Sequence, residues 1–381
     1  MQKTLDYYDS ICNEWNYTSI EDESTGYESV DSQLRQLTKK LWDNADDAGK
    51  LSIESTAYDI YKSVNILPIT YYSLTGFTKE LTELGNKTVK IKDKTLGVGN
   101  NAGQSLSRFW FPNIQDAYIH DNKTVSLRSR FNHEAKLKRA IKLCYTIGND
   151  KNDNVPIPSI LRRRLELING GTIRNFKTMN ARAIYEYICP NMFGRILDFS
   201  SGYGGRMMGC LTSKMRYHYT GIDPNTKTFA GLDALGELLS DIGFGSGYEM
   251  HNTVSEEFDA PAGSFDAAFS SPPYFNLETY CDEPTQCMVR CTTTDAWFDL
   301  YVYPTLTMLH KVLANDGVYA VNINDYAEYK IVDRWLALSE QCNFRLIDEL
   351  KMNLNVRPGV GNGKKNNGVK HESVFIFRKK G

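Results

Sequence analysis

Residues Ile196–Gly205 read Ile-Leu-Asp-Phe-Ser-Ser-Gly-Tyr-Gly-Gly. An apolar run ending in a carboxylate, Asp198, passes into a G-x-G-G turn, and residues 205–214 then carry a helical pattern. A strand, a glycine-rich turn and a helix in this order open one half of a nucleotide-binding α/β sheet. Glycines let the backbone turn tightly and approach a ligand closely. The helix that follows adds the positive end of its dipole. The next strand, residues 218–223, closes on Gly221-Ile222-Asp223. A carboxylate at that strand end can accept both hydroxyls of a ribose. Met207 stands where the dinucleotide pattern G-x-G-x-x-G needs its last glycine, so a nucleoside cofactor without a diphosphate fits this turn better.

Outward from this stretch, strands and helices alternate. Residues 180–188 and 226–240 read as helices, and 249–254 and 265–270 as strands. A long helical pattern over 294–313 leads into a strand over 318–323, a helix over 328–341, and two closing strands at 344–352 and 373–377. This alternation predicts a doubly wound, mostly parallel, Rossmann-like sheet. The last two strands have no helix between them, which predicts a C-terminal antiparallel hairpin at the sheet edge. Residues 1–150 read as a separate, mixed or helical N-terminal region, and 151–381 as the α/β domain. The polar stretch 147–158, with two prolines, is the linker candidate.

The strand 265–270 runs directly into Ser271-Pro272-Pro273-Tyr274-Phe275. Two prolines stiffen that loop and remove two N–H donors, so its backbone presents carbonyls. Ser271 Oγ and the Pro272 carbonyl can accept hydrogen bonds from an exocyclic amine, and the Tyr274 ring offers a face to a planar base. The ring, not the hydroxyl, is the part expected to act. The loop stands at a strand's carboxyl end, where open α/β sheets bind ligands.

Together, Asp198-Phe-Ser-Ser-Gly-Tyr-Gly-Gly205, Asp223 and Ser271-Pro-Pro-Tyr274 resemble the S-adenosylmethionine-dependent DNA amino-methyltransferases of the N4-cytosine and N6-adenine group. The resemblance spans roughly residues 175–381. It implies a methyltransferase sheet, S-adenosylmethionine as cofactor and DNA as partner. Asp198, Ser200, Gly202, Gly204 and Gly205 would cradle the methionine part and Asp223 the ribose. Ser271, Pro272, Pro273 and Tyr274 would hold the target amine and form the catalytic loop. The serine form of the loop is more typical of N4-cytosine enzymes, without deciding the base. Residues 176–188 stand where that family often has a segment closing over the cofactor. The intervals 205–271 and 274–294 leave little room for a target-recognition insertion, so recognition is expected within residues 1–170 or from a partner subunit. Two other readings remain: methylation of a protein glutamine amide, and a non-catalytic methyltransferase-like subunit that binds nucleic acid.

Charge is segregated along the 381 residues. The whole chain carries −2, but residues 1–60 carry −8, residues 121–182 carry +9 and residues 351–381 carry +7. A global basic field is absent, so nucleic acid would be met by local patches. The flexible, basic run 357–370 reads as a loop touching phosphate or closing as a lid. Hydrophobic residues at 41% and charged residues at 24% exclude a disordered or coiled-coil chain. No apolar run is long enough for a membrane span, and the first ten residues lack an apolar segment, so a cytoplasmic protein is expected. Cys281, Cys287 and Cys291 have no fourth ligand at zinc spacing and read as reduced thiols, so no metal is expected. Asn322, Asn324 and Asp325 end a strand beside the Pro-Pro loop, facing the cleft or capping the next helix. Glu278 and Tyr280 follow the loop as candidates to line a base pocket. Arg206 reads either as a cofactor-side contact or as a solvated first-turn residue. Ser107-Arg-Phe-Trp-Phe-Pro112 mixes aromatics with Arg108, a combination that can stack bases, but its aromatics read better as core.

Overall fold

The β-branched and aromatic runs predicted as strands pair into one sheet. A computed structural model describes the chain except for residues 17–25, 98–100, 121–124, 148–154, 169–171, 328, 354–370 and 381. Most of the linker candidate and the basic run 357–370 therefore lie outside the described residues. Seven strands carry the architecture: β1 (Phe193–Asp198), β2 (Arg216–Ile222), β3 (Gly247–His251), β4 (Phe265–Ser270), β5 (Leu313–Ile323), β6 (Phe344–Asn353) and β7 (His371–Lys379). Their order is β6-β7-β5-β4-β1-β2-β3. Strands β1 to β5 are mutually parallel, while β7 runs antiparallel to both β5 and β6. The fold is thus a doubly wound α/β sheet with a C-terminal antiparallel hairpin. The hairpin's second strand inserts inside the first, because Ser373–Arg378 pairs with β5 while β6 lies beyond it.

The order reverses between β1 and β4: the chain leaves β1 toward β2 and β3, then returns to place β4 and β5 on the other side. Loops leaving these two strands diverge at that point and open a crevice, which fixes where a ligand can sit. The helical pattern expected over 294–313 is broken. Thr294–Trp297 passes through a π-helical turn, Phe298–Val302, into Tyr303–Val312. Leu313 already belongs to β5.

The N-terminal region is mostly helical and shares one continuous buried cluster with the sheet, running from Tyr8 to Ile376. Trp110 shows the docking. Its ring stacks on Phe77 at 4.6 Å and its Nε1–H donates to the Gly231 carbonyl at 2.9 Å, on the helix Thr226–Asp241. Phe109, Trp110 and Phe111 are fully buried, as the core reading of that aromatic run expects. The short strand Thr95–Leu96 even joins the sheet, parallel to Lys351–Met352 of β6. Among the described residues, no helix is long and apolar enough to cross a membrane.

Candidate functional site

Both strand-end loops open into one cavity of about 1,440 Å³. The β1 loop contributes Ser200, Gly202, Tyr203 and Arg206, and the β2 end contributes Asp223. The β4 loop contributes Ser271, Pro272, Pro273 and Tyr274. The two loops are stitched at their bases, since Ser270 Oγ–H donates to the Ser200 carbonyl at 3.2 Å. Residues far apart in sequence therefore meet at the crevice.

Asp223 is held for a ligand. Its carboxylate accepts the Gly202 N–H at 2.7 Å and the Asn225 N–H at 3.0 Å. Burial raises its pKa to about 6, against the pull of these two amides. Gly202 has φ +60°, and a Cβ there would meet only Arg206 Nη2 at 3.7 Å. Its side toward the cavity is open, and its amide anchors the Asp223 carboxylate. Asn225 Oδ1 caps the helix Thr226–Asp241 by accepting the Thr228 N–H at 3.0 Å. Asn225 Nδ2 is buried with no partner among the described residues and belongs to the same wall. An orphaned donor beside a desolvated carboxylate is what a hydroxyl-bearing ligand would satisfy.

Asp198, Gly204 and Gly205 do something other than cradle a ligand. Asp198 is fully buried; its carboxylate accepts from Arg206 Nε at 2.8 Å and from the Tyr219 hydroxyl at 2.9 Å. It is spent on the protein's own cation, and it is absent from the cavity wall. Gly204, at φ +72°, and Gly205 are crowded by protein. A Cβ on Gly205 would sit 2.3 Å from the Phe176 carbonyl, and one on Gly204 would sit 2.6 Å from Phe111. Gly204 admits Phe111 of the N-terminal region and Gly205 admits the segment Asn175–Phe176, while Gly202 alone of the three faces the cavity.

Arg206 is neither solvated nor a free cofactor contact. It is buried, paired with Asp198, bonded to the Ser200 carbonyl, and lies 5.8 Å from the centre of the Phe176 ring. Phe176 itself lines the cavity, held by Asn175, whose Nδ2 donates to Ser107 Oγ and to the Tyr203 carbonyl, each at 2.7 Å.

On the acceptor side, Ser271 Oγ–H donates to Asn322 Oδ1 at 3.2 Å, and Asn322 Nδ2–H donates to the Ser373 carbonyl at 2.9 Å. The chain of bonds fixes the amide's orientation and takes up the Ser271 proton, so the hydroxyl's lone pairs remain for an incoming N–H. Tyr274 is tied by its hydroxyl to the Asn322 carbonyl at 2.9 Å, and its ring lies 6.4 Å from Tyr326 with 30° between planes. The hydroxyl thus has a structural task that the loop's sequence does not announce. Tyr326 OH donates to the Tyr274 carbonyl at 3.0 Å and clamps the loop from outside. Asp325 accepts the Val332 N–H at 3.1 Å, which serves the first turn of the helix Val332–Gln341.

Glu278 and Tyr280 do line the cavity, and the Tyr280 hydroxyl donates to Glu278. Burial raises the Glu278 carboxyl above the ordinary carboxylate range. Glu278–Thr279 pairs antiparallel with Tyr118–Ile119, so the N-terminal region roofs the segment after the Pro-Pro loop. Cys281 and Cys287 also line the wall. Among the described residues, no group of three His, Cys, Asp or Glu is placed to hold a metal ion.

No family model matches the sequence, and no curated protein matches it. Solved structures do match. One is 1,6-didemethyltoxoflavin-N1-methyltransferase of Burkholderia thailandensis, at 16% identity over 54% of this chain and 78% of that one, TM-score 0.35. Another is a SAM-dependent methyltransferase of Methanosarcina mazei, at 12% identity over 52% and 97%, TM-score 0.35. A third is magnesium protoporphyrin IX methyltransferase of Synechocystis, at 9% identity over 53% and 79%, TM-score 0.36. The fold class rests on the strand order and register described above.

Proposed function

We propose that this chain transfers a methyl group from S-adenosylmethionine to an exocyclic amine of a DNA base, at N4 of cytosine or N6 of adenine. One observation carries the reading. A strand-end carboxylate suited to a ribose and a Ser-Pro-Pro-Tyr loop line the same cavity, at the point where strand order reverses. The resident groups fit the cofactor: Asp223 with the open Gly202 on the nucleoside side, and the unpartnered Asn225 Nδ2 beside them.

Bound, S-adenosylmethionine supplies an electrophilic methyl group on a sulfonium. The protein's own part is to hold and orient. Asp223 accepts the ribose hydroxyls, with Gly202 and Asn225 amides keeping the carboxylate in place. Ser271 Oγ and the Pro272 carbonyl would accept the two N–H groups of the amine and localise its lone pair for in-line attack; as the N–C bond forms, the methyl's C–S bond breaks, and the extra proton on the methylated nitrogen is lost to solvent. Asn322 acts as a positioning residue by fixing the Ser271 hydroxyl. A base in duplex DNA must leave the stack to reach the cavity, where the Tyr274 ring would receive it.

The test is incubation of the full chain with labelled S-adenosylmethionine and DNA, RNA and protein, followed by nucleoside and amino-acid mass spectrometry. N4-methylcytosine or N6-methyladenine in DNA is expected. Label on a protein glutamine amide would replace the substrate class, and no label in any polymer would sink the catalytic reading.

A further inference from the structure

Away from the strand ends, the cavity runs into the N-terminal layer, and its chemistry changes. Asp223, Glu278 and Glu372 come from the sheet ends and the segment after the Pro-Pro loop. The part toward the N-terminal layer is lined by Arg108, Arg162, Arg163, Arg164, Arg174 and Lys177, with Glu166 among them. Three separate elements deliver these cations: the helix Gln104–Trp110, the helix Pro158–Leu165, and the segment 172–177. Arg162 pairs with Glu166 at 3.1 Å, and the two side chains are only 11% and 12% exposed.

Like charges gathered in a wall where Arg108 and Arg162 are largely removed from water repel one another. Burial, with Arg108 and Arg174 nearby, brings the Arg162 pKa down to about 10. Burial also lowers Arg108 and Lys177, with the Arg174 charge adding to both. Glu166 offsets part of this for Arg108 and Arg162, and Glu372 lies within reach of Arg174. Such a cluster is costly as a purely structural feature, and a bound anion would relieve it. A second observation points the same way. Gln115 is 2% exposed and lines this wall. Its Oε1 accepts from Arg162 Nη1 at 3.3 Å, while its Nε2 has no acceptor among the described residues. An unused N–H beside guanidinium forks is an oxyanion's complement. The space is adequate as well: about 1,440 Å³ exceeds the roughly 300–1,000 Å³ of a pocket for one small molecule.

We propose that Arg108, Gln115, Arg162 and Arg174 form a phosphate subsite, which grips the backbone of the nucleic-acid strand whose base enters the Ser271–Tyr274 loop. The inference rests on the DNA reading above and adds to it the part of the molecule that captures the strand.

The experiment is fluorescence anisotropy of the full chain with a short labelled single-stranded oligodeoxynucleotide across a salt series, with methylation products followed in parallel. Arg162→Gln and Arg174→Gln should each weaken binding about 10- to 100-fold at low salt and reduce the log–log salt slope by about 0.7. Gln115→Leu removes a neutral donor and the Oε1 acceptor of Arg162 but no charge, so it should weaken binding several-fold and leave the slope unchanged. Arg174 is exposed, so its variant reads the subsite even if the Arg162 variant fails to fold. Unchanged affinity and slope in Arg174→Gln, with methylated base still formed, would overturn the subsite alone. Stabilisation by inorganic phosphate that Arg162→Gln abolishes, with no oligonucleotide bound by the wild type, would overturn nucleic acid as its occupant. Label found only in protein would overturn the underlying DNA reading.

Discussion

The loops after β1 and β4 occupy equivalent places in the fold, and their signature residues behave differently. In the β4 loop all four residues of Ser271–Tyr274 face the cavity. In the β1 loop Asp198, Gly204 and Gly205 turn inward, and only Ser200 and Gly202 of the expected set remain on the wall. The difference follows from what each loop meets. The helix after β1 is pressed on by Asn175–Phe176 and Phe111, and a buried Arg206 demands a carboxylate. The β4 loop is propped by Asn322 and Tyr326, and Ser271 to Tyr274 all line the cavity. A strand-end carboxylate is therefore a ligand group only where no buried cation claims it first.

The largest effect should come from the residue that turned inward. Asp198→Asn leaves the buried Arg206 guanidinium without its counter-charge and should cost about 3–5 kcal/mol of stability. Urea denaturation reads this directly. A variant as stable as wild type, with only cofactor affinity lost, would return Asp198 to the ligand side and erase the contrast.

Next comes Ser271→Ala, with the fold intact. Losing one acceptor aimed at the reacting amine should slow single-turnover methylation by about 2–4 kcal/mol, or roughly 30- to 1,000-fold, with cofactor affinity unchanged. Asn322→Ala should reproduce part of that loss through the freed Ser271 rotor. Full rate in Ser271→Ala would reduce the loop to a turn.

Asp223→Ala should weaken S-adenosylmethionine binding by about 1.5–3 kcal/mol in calorimetry. The same carboxylate carries a pH signature. Its folded pKa of about 6 lies above the ordinary 3.8. The native state therefore binds the proton more tightly than the unfolded chain, and this group costs stability as pH rises through roughly 4 to 6. Ribose binding needs the ionised form, so affinity should fall about tenfold per pH unit below about 6. Asp223→Asn should flatten that profile; a flat wild-type profile would separate Asp223 from the ligand.

The smallest effect belongs to Tyr274→Phe. The ring is kept, but the hydroxyl bond to the Asn322 carbonyl is lost, so about 1 kcal/mol and a modest loss of rate are expected. A loss as large as that of Ser271→Ala would give the hydroxyl a direct part in the chemistry.

Local pattern made much of this legible. Period and punctuation located β1 to β7 but not the short strand Glu278–Thr279, and the residue pair Asp223 and Ser271 is visible because each follows or ends an apolar strand. Partnership across long intervals was not. Nothing local in Arg206 reveals that Asp198 is its counter-ion, and nothing in Gln115 or Asn225 reveals a wall of the cavity. Asn322 carried a faint signal as a polar strand end; Gln115 carried none. The π-helical turn at Phe298–Val302 also hides in the sequence, because its pattern is continuous with the helices on either side.

The pairing of Thr95–Leu96 with Lys351–Met352 has a consequence for how the protein is made. Lys94 also reaches this strand, through its carbonyl to the Lys351 N–H at 2.8 Å. Such distant segments meet late, because loop closure must come before the contacts that reward it. On the ribosome the early strand must wait tens of seconds for its partner to emerge. During that wait its edge is exposed to other chains. The residues flanking it, Lys90, Lys92 and Lys94, are charges suited to keeping a waiting edge from pairing wrongly.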